Sequence, residues 1–390
     1  MQWLPWLKPV PPQPVARPQG LDWQPFRRHL QTLPEPVRQA LTLAPLAAGS
    51  ELLHASFAPC QALLDQLYGW RQGQRTCIAL LGGEASGKST LLNQALDIAS
   101  SDLVCQQLRL PARLNSSIEW CQLLADGLEL GGSRSLTDLI ERLNHLSPRV
   151  IALDNLHALA GRQPGMQSLR EDVCYTLLQT SHQHAWVLSA STAVWQRLGW
   201  QCALDEMVTA TVRLPAWPAE DFNAALQRRL QRLQQAGLTF CLQSADPGQE
   251  QCQLLDYHSL LEPLHQLSQG NLYAGLYALL SACQWQAPHT LLLTPLALPD
   301  LKQLRELRAD DYLCLAEVFS HGHLRVSEHA ELFQSSLQQS HLQQSHLQLR
   351  LLQESGLLLS QGEGLQQSFS INPLYATALS RQLSGRNLLY

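Results

Sequence analysis

The run Gly82-Gly83-Glu84-Ala85-Ser86-Gly87-Lys88-Ser89 spaces two glycines, a lysine and a hydroxyl so that one anion can be held from several sides. Glycines let a short loop wrap with its backbone N–H groups turned onto phosphate oxygens. Lys88 would reach the β- and γ-phosphates, and the Ser89 hydroxyl would ligate Mg²⁺. Thr90 would open a helix whose N-terminal dipole end favours the anion. The implied chemistry is the binding of a nucleoside triphosphate, ATP with Mg²⁺, by Gly82, Gly83, Glu84, Ala85, Ser86, Gly87, Lys88, Ser89 and Thr90.

Asp154 supplies a second half. It ends the apolar run Val150-Ile151-Ala152-Leu153, as a Walker B aspartate does, where it can hold the metal through water. Ser89 and Asp154 are therefore the expected metal residues. The next position, where a water-activating glutamate often stands, is Asn155. An amide cannot accept a proton but can orient a water, which implies slow hydrolysis or a base from elsewhere. His157 reads as a helix-face histidine. The guanine-reading N-K-x-D pattern is absent, which argues against GTP.

The elements around these residues alternate. Thr76–Leu81 reads as a strand running into the glycine loop, and Ser89–Ala99 as the helix leaving it. Strands follow at 103–110, 150–153, 185–188 and 207–214, with helices at 116–128, 135–146 and 167–180 between them. Alternation of this kind implies an α/β fold, a parallel sheet with helices on both faces. One strand is expected to lie between the loop strand and the Asp154 strand. Before this core, residues 1–45 form an arm rich in proline and tryptophan that docks on this protein or on a partner. The core is placed at 46–217, a helical lid at 218–287 and a proline-punctuated linker at 288–300.

Composition limits the function classes. The chain of 390 residues has a formal net charge of −5 and 15% charged residues, so no sequence-wide signal for nucleic acid or anionic membrane exists. Ten scattered cysteines, with no C-x-x-C pair, read as small buried thiols in a reducing cytoplasm. No apolar run reaches the roughly 18 residues of a spanning helix.

Taken in order, the loop, the Asp154 strand, a polar strand end and a helical lid resemble an AAA+ ATPase over about residues 50–285. Leu188-Ser189-Ala190-Ser191-Thr192 resembles that family's sensor 1, which implies that Thr192, or Ser191, contacts the γ-phosphate or the lytic water. Gly270-Asn271-Leu272-Tyr273 resembles the start of the lid helix that often carries a sensor 2 arginine, but no arginine occurs between Asn271 and Trp285. The family's arginine finger acts across a subunit interface. Arg197 is the candidate, with Arg213 second, and self-association across Arg197 is what this implies. The layout is most similar to the origin-recognition and TniB-like transposition-regulator type.

From about residue 301 a third unit begins. Helices at 310–319, 326–335 and 341–354 precede two short strands at 357–359 and 368–371, the pattern of a winged helix, and a helix at 372–383 closes it. The repeat Gln338-Gln339-Ser340-His341-Leu342 and Gln343-Gln344-Ser345-His346-Leu347 enters the would-be recognition helix. Glutamine can read adenine, yet residues 301–390 carry seven Lys/Arg against eight Asp/Glu, too little charge to neutralise phosphates. A protein partner is therefore favoured over DNA. The expectation is a regulatory ATPase with slow hydrolysis that switches a protein partner. The alternatives are a DNA-associated ATPase that targets or loads a transposase, nuclease or replication protein, and a scaffold with structural nucleotide.

Overall fold

The computed structural model describes residues 23–54, 58–111, 113–132, 135–162, 165–242, 253–286, 289–296, 299–334, 339–362 and 367–389. The first twenty-two residues of the proline-rich arm, the polar stretch at 244–251 and Gln338 of the repeat lie outside them.

What the arm adds within the described residues is two short helices, α1 (Trp23–Thr32) and α2 (Glu35–Ala40). Pro34 and Pro36 separate and start them, since proline fits a first helical turn but not a helix interior. Phe26, Leu33, Val37 and Leu41 pack into the lid's core, so this part of the arm docks on the protein itself. Helix α3 (Ala58–Arg71) then lies against the helix that leaves the glycine loop.

The core sheet contains β1 (Cys77–Gly82), β2 (Cys105–Arg109), β3 (Val150–Asp154), β4 (Ala185–Ser191) and β5 (Ala210–Leu214). All pairings are parallel and the spatial order is β2-β3-β4-β1-β5. Between the strands run α4 (Lys88–Ala99), α5 (Ser117–Gly127), α6 (Leu136–His145), α7 (Met166–Thr180) and α8 (Thr192–Cys202). Alternate residues of each strand face opposite layers. Ile78, Leu80, Val187 and Val212 meet α3 and α4 on one side. Ala79, Leu81, Ile151, Trp186 and Leu188 meet α5 to α8 on the other. Two threonines of α7 satisfy the buried indoles: Trp120 Nε1 donates to Thr176 and Trp186 Nε1 to Thr180, at 3.2 and 3.1 Å. Without those acceptors each indole N–H would cost about 1–3 kcal/mol to bury. The inserted strand is found as expected: β4 separates β1 from β3, which brings the ends of all three to one edge.

The lid differs from the purely helical module expected. Helices α9 (Ala219–Gln235), α10 (His258–Ser268) and α11 (Leu272–Ala282) are joined by a four-stranded sheet. Its strands are β6 (Thr239–Leu242), β7 (Gln253–Leu254), β8 (Cys283–Gln286) and β9 (Thr290–Leu293). Residues 290–293, read as linker, are a strand because Thr290-Leu291-Leu292-Leu293 pairs with both β6 and β8. The helix expected to reach Trp285 ends at Ala282, and Cys283–Gln286 turns extended. Among the described residues eight cysteines are free thiols, while Cys241 on β6 is disulfide-bonded, which the reading of a reducing compartment did not anticipate.

The C-terminal unit sets a three-stranded sheet among four helices. It runs α12 (Ala309–His321), β10 (Leu324–Arg325), α13 (Val326–Gln334), α14 (Gln339–Glu354), β11 (Leu358–Gln361), β12 (Ser368–Ile371) and α15 (Pro373–Gly385). Strand β12 pairs antiparallel with both β10 and β11. Tyr312, Leu315, Phe319, Leu349 and Phe369 fill its core. Two largely buried ion pairs tie this unit to the parallel-sheet core. Arg113, just after β2, meets Glu328 at 2.7 Å, and Arg197 on α8 meets Glu317 at 2.9 Å. Among the described residues no helix is long and apolar enough to cross a membrane.

Candidate functional site

The glycine loop sits where β1 ends. Gly82 has no room for a side chain: a Cβ there would lie 2.5 Å from Ser86 Oγ and 3.0 Å from Leu214 Cβ. Gly87, at φ +95°, adopts a left-handed backbone that glycine takes without strain and then caps α4 with no side-chain bond. The first N–H groups of α4 are thereby left for a ligand. Lys88 is the first residue of that helix, is buried, and donates to Gly83 O at 2.7 Å. Burial lowers the Lys88 ammonium to about 8, although the Glu84 and Asp154 charges oppose this. Burial likewise raises the Glu84 carboxyl to about 7 against the pull of Lys88.

Asp154 is buried with both oxygens engaged. Oδ2 accepts from the Ser89 hydroxyl at 2.6 Å and Oδ1 from the Asn155 N–H at 3.0 Å. The two expected metal residues therefore meet, and a hydroxyl with one carboxylate is the hard-oxygen set that Mg²⁺ takes beside phosphates. Asn155, at φ +71°, turns its own amide back to donate to Leu110 O at 3.3 Å. It ties β3 to the end of β2, and it lines the site without offering a base.

Several polar groups are left over at the same place. Ser86 Oγ, Glu84 Oε2, Ser189 Oγ and His157 Nδ1 are buried with no partner. All four residues line one cavity of about 870 Å³ together with Lys88, Ser89 and Asp154. Orphaned buried polar atoms are costly, and a polyphosphate with its cation would satisfy them. The residues present fit a nucleotide.

The polar strand end lies only partly in the cavity wall. Ser191 Oγ caps α8 by accepting from Val194 N–H at 3.3 Å, and Thr192 is that helix's first residue. The cavity wall contains Ser189 but neither Ser191 nor Thr192. Ser189 pairs in register with Leu80 of β1 and follows Leu188, which pairs with Leu153, so it stands level with Asp154. Ser191, the last residue of β4 and the register partner of Gly82, spends its hydroxyl on capping α8 instead. Of the polar residues at this strand end, Ser189 is the one in the cavity wall.

Arg197 is also displaced from its expected place. It is 5% exposed and makes a two-pronged bond to Glu317 of the same chain, so it presents no guanidinium to a second subunit. Arg213, on β5, is exposed and outside the cavity wall. Two other arginines line the cavity. Arg109 ends β2 as the register partner of Asp154, and Arg229 of α9 donates to Ala40 O at 2.8 Å. Neither was singled out from the sequence, where a strand-end or helix arginine carries no signal of its own.

The far end of the cavity is apolar. Thr90, expected at the phosphates, instead accepts from Leu46 N–H at 3.1 Å, while Asn93 donates to Leu46 O at 2.9 Å. These bonds lay residues 42–46 along α4 and place Leu43 and Leu46 in the wall. Trp217, Leu272, Tyr273 and Leu276 face them from the lid. Lid and loop touch through Asn271, which caps α11 and donates to Glu84 O at 3.2 Å. The lid helix α11 carries no arginine. His157 is not a solvent-facing histidine: burial, with Lys88 beside it, drives its imidazole down to about 3, so it is neutral.

No protein-family model and no curated protein matches the chain. Among solved structures, the chain is similar to the Aeropyrum pernix ORC1 protein in complex with DNA. Identity there is 15%, coverage is 90% of this chain and 98% of that one, and the TM-score is 0.43. It is similar to the Walker-type ATPase of Pyrococcus abyssi, at 13% identity, 87% and 99% coverage and a TM-score of 0.46. It is similar to Cdc6p of Pyrobaculum aerophilum, at 15% identity, 90% and 98% coverage and a TM-score of 0.45. Likeness of this degree says nothing of activity or partner. The chain's own features, a parallel sheet in the order β2-β3-β4-β1-β5 with a glycine loop after β1, Asp154 ending β3 and a lid over the loop, are those of an AAA+ P-loop fold.

Proposed function

We propose that this chain binds ATP with Mg²⁺ in the cavity between the loop, residues 42–46 and the lid, and works as a nucleotide-controlled switch. The convergence of Lys88, Ser89 and Asp154 at the end of β1 and β3, beside unpartnered buried polar atoms, carries the reading. Mg²⁺ would supply charge neutralisation at the phosphates. Lys88 would leave Gly83 O and bind phosphate oxygen, and Ser89 and Asp154 would hold the cation. Leu43, Leu46, Trp217 and Leu276 offer the apolar walls that a base needs.

A switch is favoured over a fast motor by two features. Asn155 offers no proton acceptor, and Arg197 is held within the chain rather than offered to a neighbour. Turnover is therefore slow, below ~1 s⁻¹ for the isolated protein. The partner is a protein. Helix α14 exposes Leu347 and Leu351 beside Gln343 and Gln344, and its one arginine, Arg350, pairs with Glu354 at 3.4 Å. Such a face suits a protein surface better than a phosphate backbone. Titration of the full chain with a fluorescent ATP analogue tests the nucleotide reading. Saturable, Mg²⁺-dependent binding that Lys88→Ala abolishes is expected, and unchanged binding by that variant overturns it.

A further inference from the structure

The C-terminal unit does more than hang from the core. Its α12–β10 turn, His321-Gly322-His323, lines the same cavity as Lys88, Asp154 and Ser189. The turn lies against the short helical turn that follows the Asp154 strand: a Cβ on Gly322 would stand 3.8 Å from His157 Cδ2. The two most buried interdomain ion pairs converge on it. Arg113 donates to His323 O at 2.7 Å while holding Glu328, and Arg197 grips Glu317, one helical turn before His321.

His321 is 5% exposed, and its two ring nitrogens have different fates. Nε2 lies 3.2 Å from Glu317 Oε2, whereas Nδ1 is buried with no partner. Burial alone would raise the Glu317 carboxyl, but the His321 hydrogen bond and the Arg197 and Arg162 charges outweigh it and hold it down near 2. Glu317 is therefore a carboxylate and can only accept, so Nε2 of His321 carries the hydrogen. Burial keeps the imidazole neutral, and Nδ1 is then a bare acceptor. A phosphate oxygen, itself an acceptor, cannot satisfy it. A water can.

We propose that His321, oriented by Glu317, holds the water at the terminal phosphate of the bound nucleotide, so that the C-terminal domain completes the site within one chain. This rests on the nucleotide reading above. It gives the water an acceptor that Asn155 does not provide, but one whose basicity burial weakens, in keeping with slow turnover. It also couples the site to domain docking, because His321 reaches the cavity only while the Arg197–Glu317 and Arg113–Glu328 pairs hold α12 and α13 against the core. Ser189 and His321 then approach the terminal phosphate from the core and from the C-terminal domain respectively.

The test uses the full chain with ring-labelled histidine, followed by NMR as Mg²⁺ is added with ADP or with the non-hydrolysable β,γ-imido analogue of ATP. The His321 ring signal, assigned with His321→Gln, shifts with the analogue and stays with ADP. Identical His321 signals in the two saturated states overturn the proposal. Single-turnover hydrolysis gives an independent reading: His321→Gln slows it about tenfold or more while the analogue's Kd stays within about threefold. An unchanged rate overturns the proposal too. If His321→Gln does not fold, His321→Asn supplies the assignment, and the wild-type spectra then decide. Failure of both nucleotides to bind the wild-type chain removes the nucleotide reading itself, whereas binding without a His321 response removes only this inference.

Discussion

Arg197 and Glu317 face each other across the seam between the parallel-sheet core and the C-terminal domain, with Nη1 3.1 Å from Oε2 and Nη2 2.9 Å from Oε1. Both side chains are about 5% exposed. Arg162 and His321 reach the same carboxylate, at 2.9 and 3.2 Å. One glutamate thus gathers three partners from two domains beside the cavity. Desolvating such charges is repaid only when every member is paired, so the seam is stable as a set and fragile to the loss of one.

Glu317→Gln should expose that fragility. It leaves Arg197 buried without a counter-charge, at a cost of ~3–5 kcal/mol. The expected result is a melting temperature lowered by several degrees, together with easier proteolysis of the C-terminal unit under native conditions. Unchanged melting would mean that the domains are not held by this pair.

The same carboxylate sets a pH window. Its folded value near 2 lies below its ordinary 4.5, so the unfolded chain binds the proton more readily. The stabilisation is complete above about 4.5 and is lost as pH falls towards 2, amounting to about 3 kcal/mol. Urea unfolding of wild type against Glu317→Gln should show a gap at pH 6 that narrows by pH 3. A gap that widens on acidification would show that another group governs the seam.

Ser189 and Thr192 make opposite predictions. Ser189→Ala should lower single-turnover hydrolysis about tenfold with nucleotide Kd nearly unchanged, since it removes one hydrogen-bonding group at the terminal phosphate. Thr192→Ala should leave both within about twofold. The reverse pattern would restore the strand-end residues to the sensor role.

Gly82 tests how tightly the loop is built. A methyl at this position meets Ser86 Oγ and the Leu214 side chain, so Gly82→Ala must displace one of them. Overpacking of this kind costs ~1–3 kcal/mol and should weaken nucleotide binding more than it lowers the melting temperature. Wild-type affinity in this variant would mean that the loop has slack the structure does not show.

The parts of this site that the sequence revealed are those fixed by local chain geometry. Gly82–Ser89 and Asp154 could be placed because strand, loop and helix follow one another within a few residues. Ser189 was within the quoted strand end, but choosing it over Thr192 needs the register against Leu80, which is a tertiary fact. Arg197 looked like an interface residue because a single sequence cannot say that Glu317, far along the chain, will bury it. The lid's small sheet escaped for a related reason. β6 and β9 pair in parallel across two helices, and short runs such as Thr239–Leu242 show no period long enough to read.

The exposed face of α14 decides between the two kinds of partner. Leu347 is 58% and Leu351 49% exposed, one turn apart. A DNA-reading helix would need cations there to replace the counterions that leave the phosphates, and binding of that kind weakens steeply as salt rises. The full chain with ATP should therefore give no mobility shift on duplex DNA at about 1 µM protein and low salt. Leu347→Ser combined with Leu351→Ser should abolish capture of a protein partner while leaving nucleotide affinity unchanged, because neither residue lines the cavity. A salt-sensitive shift that survives the double substitution would assign this helix to DNA instead.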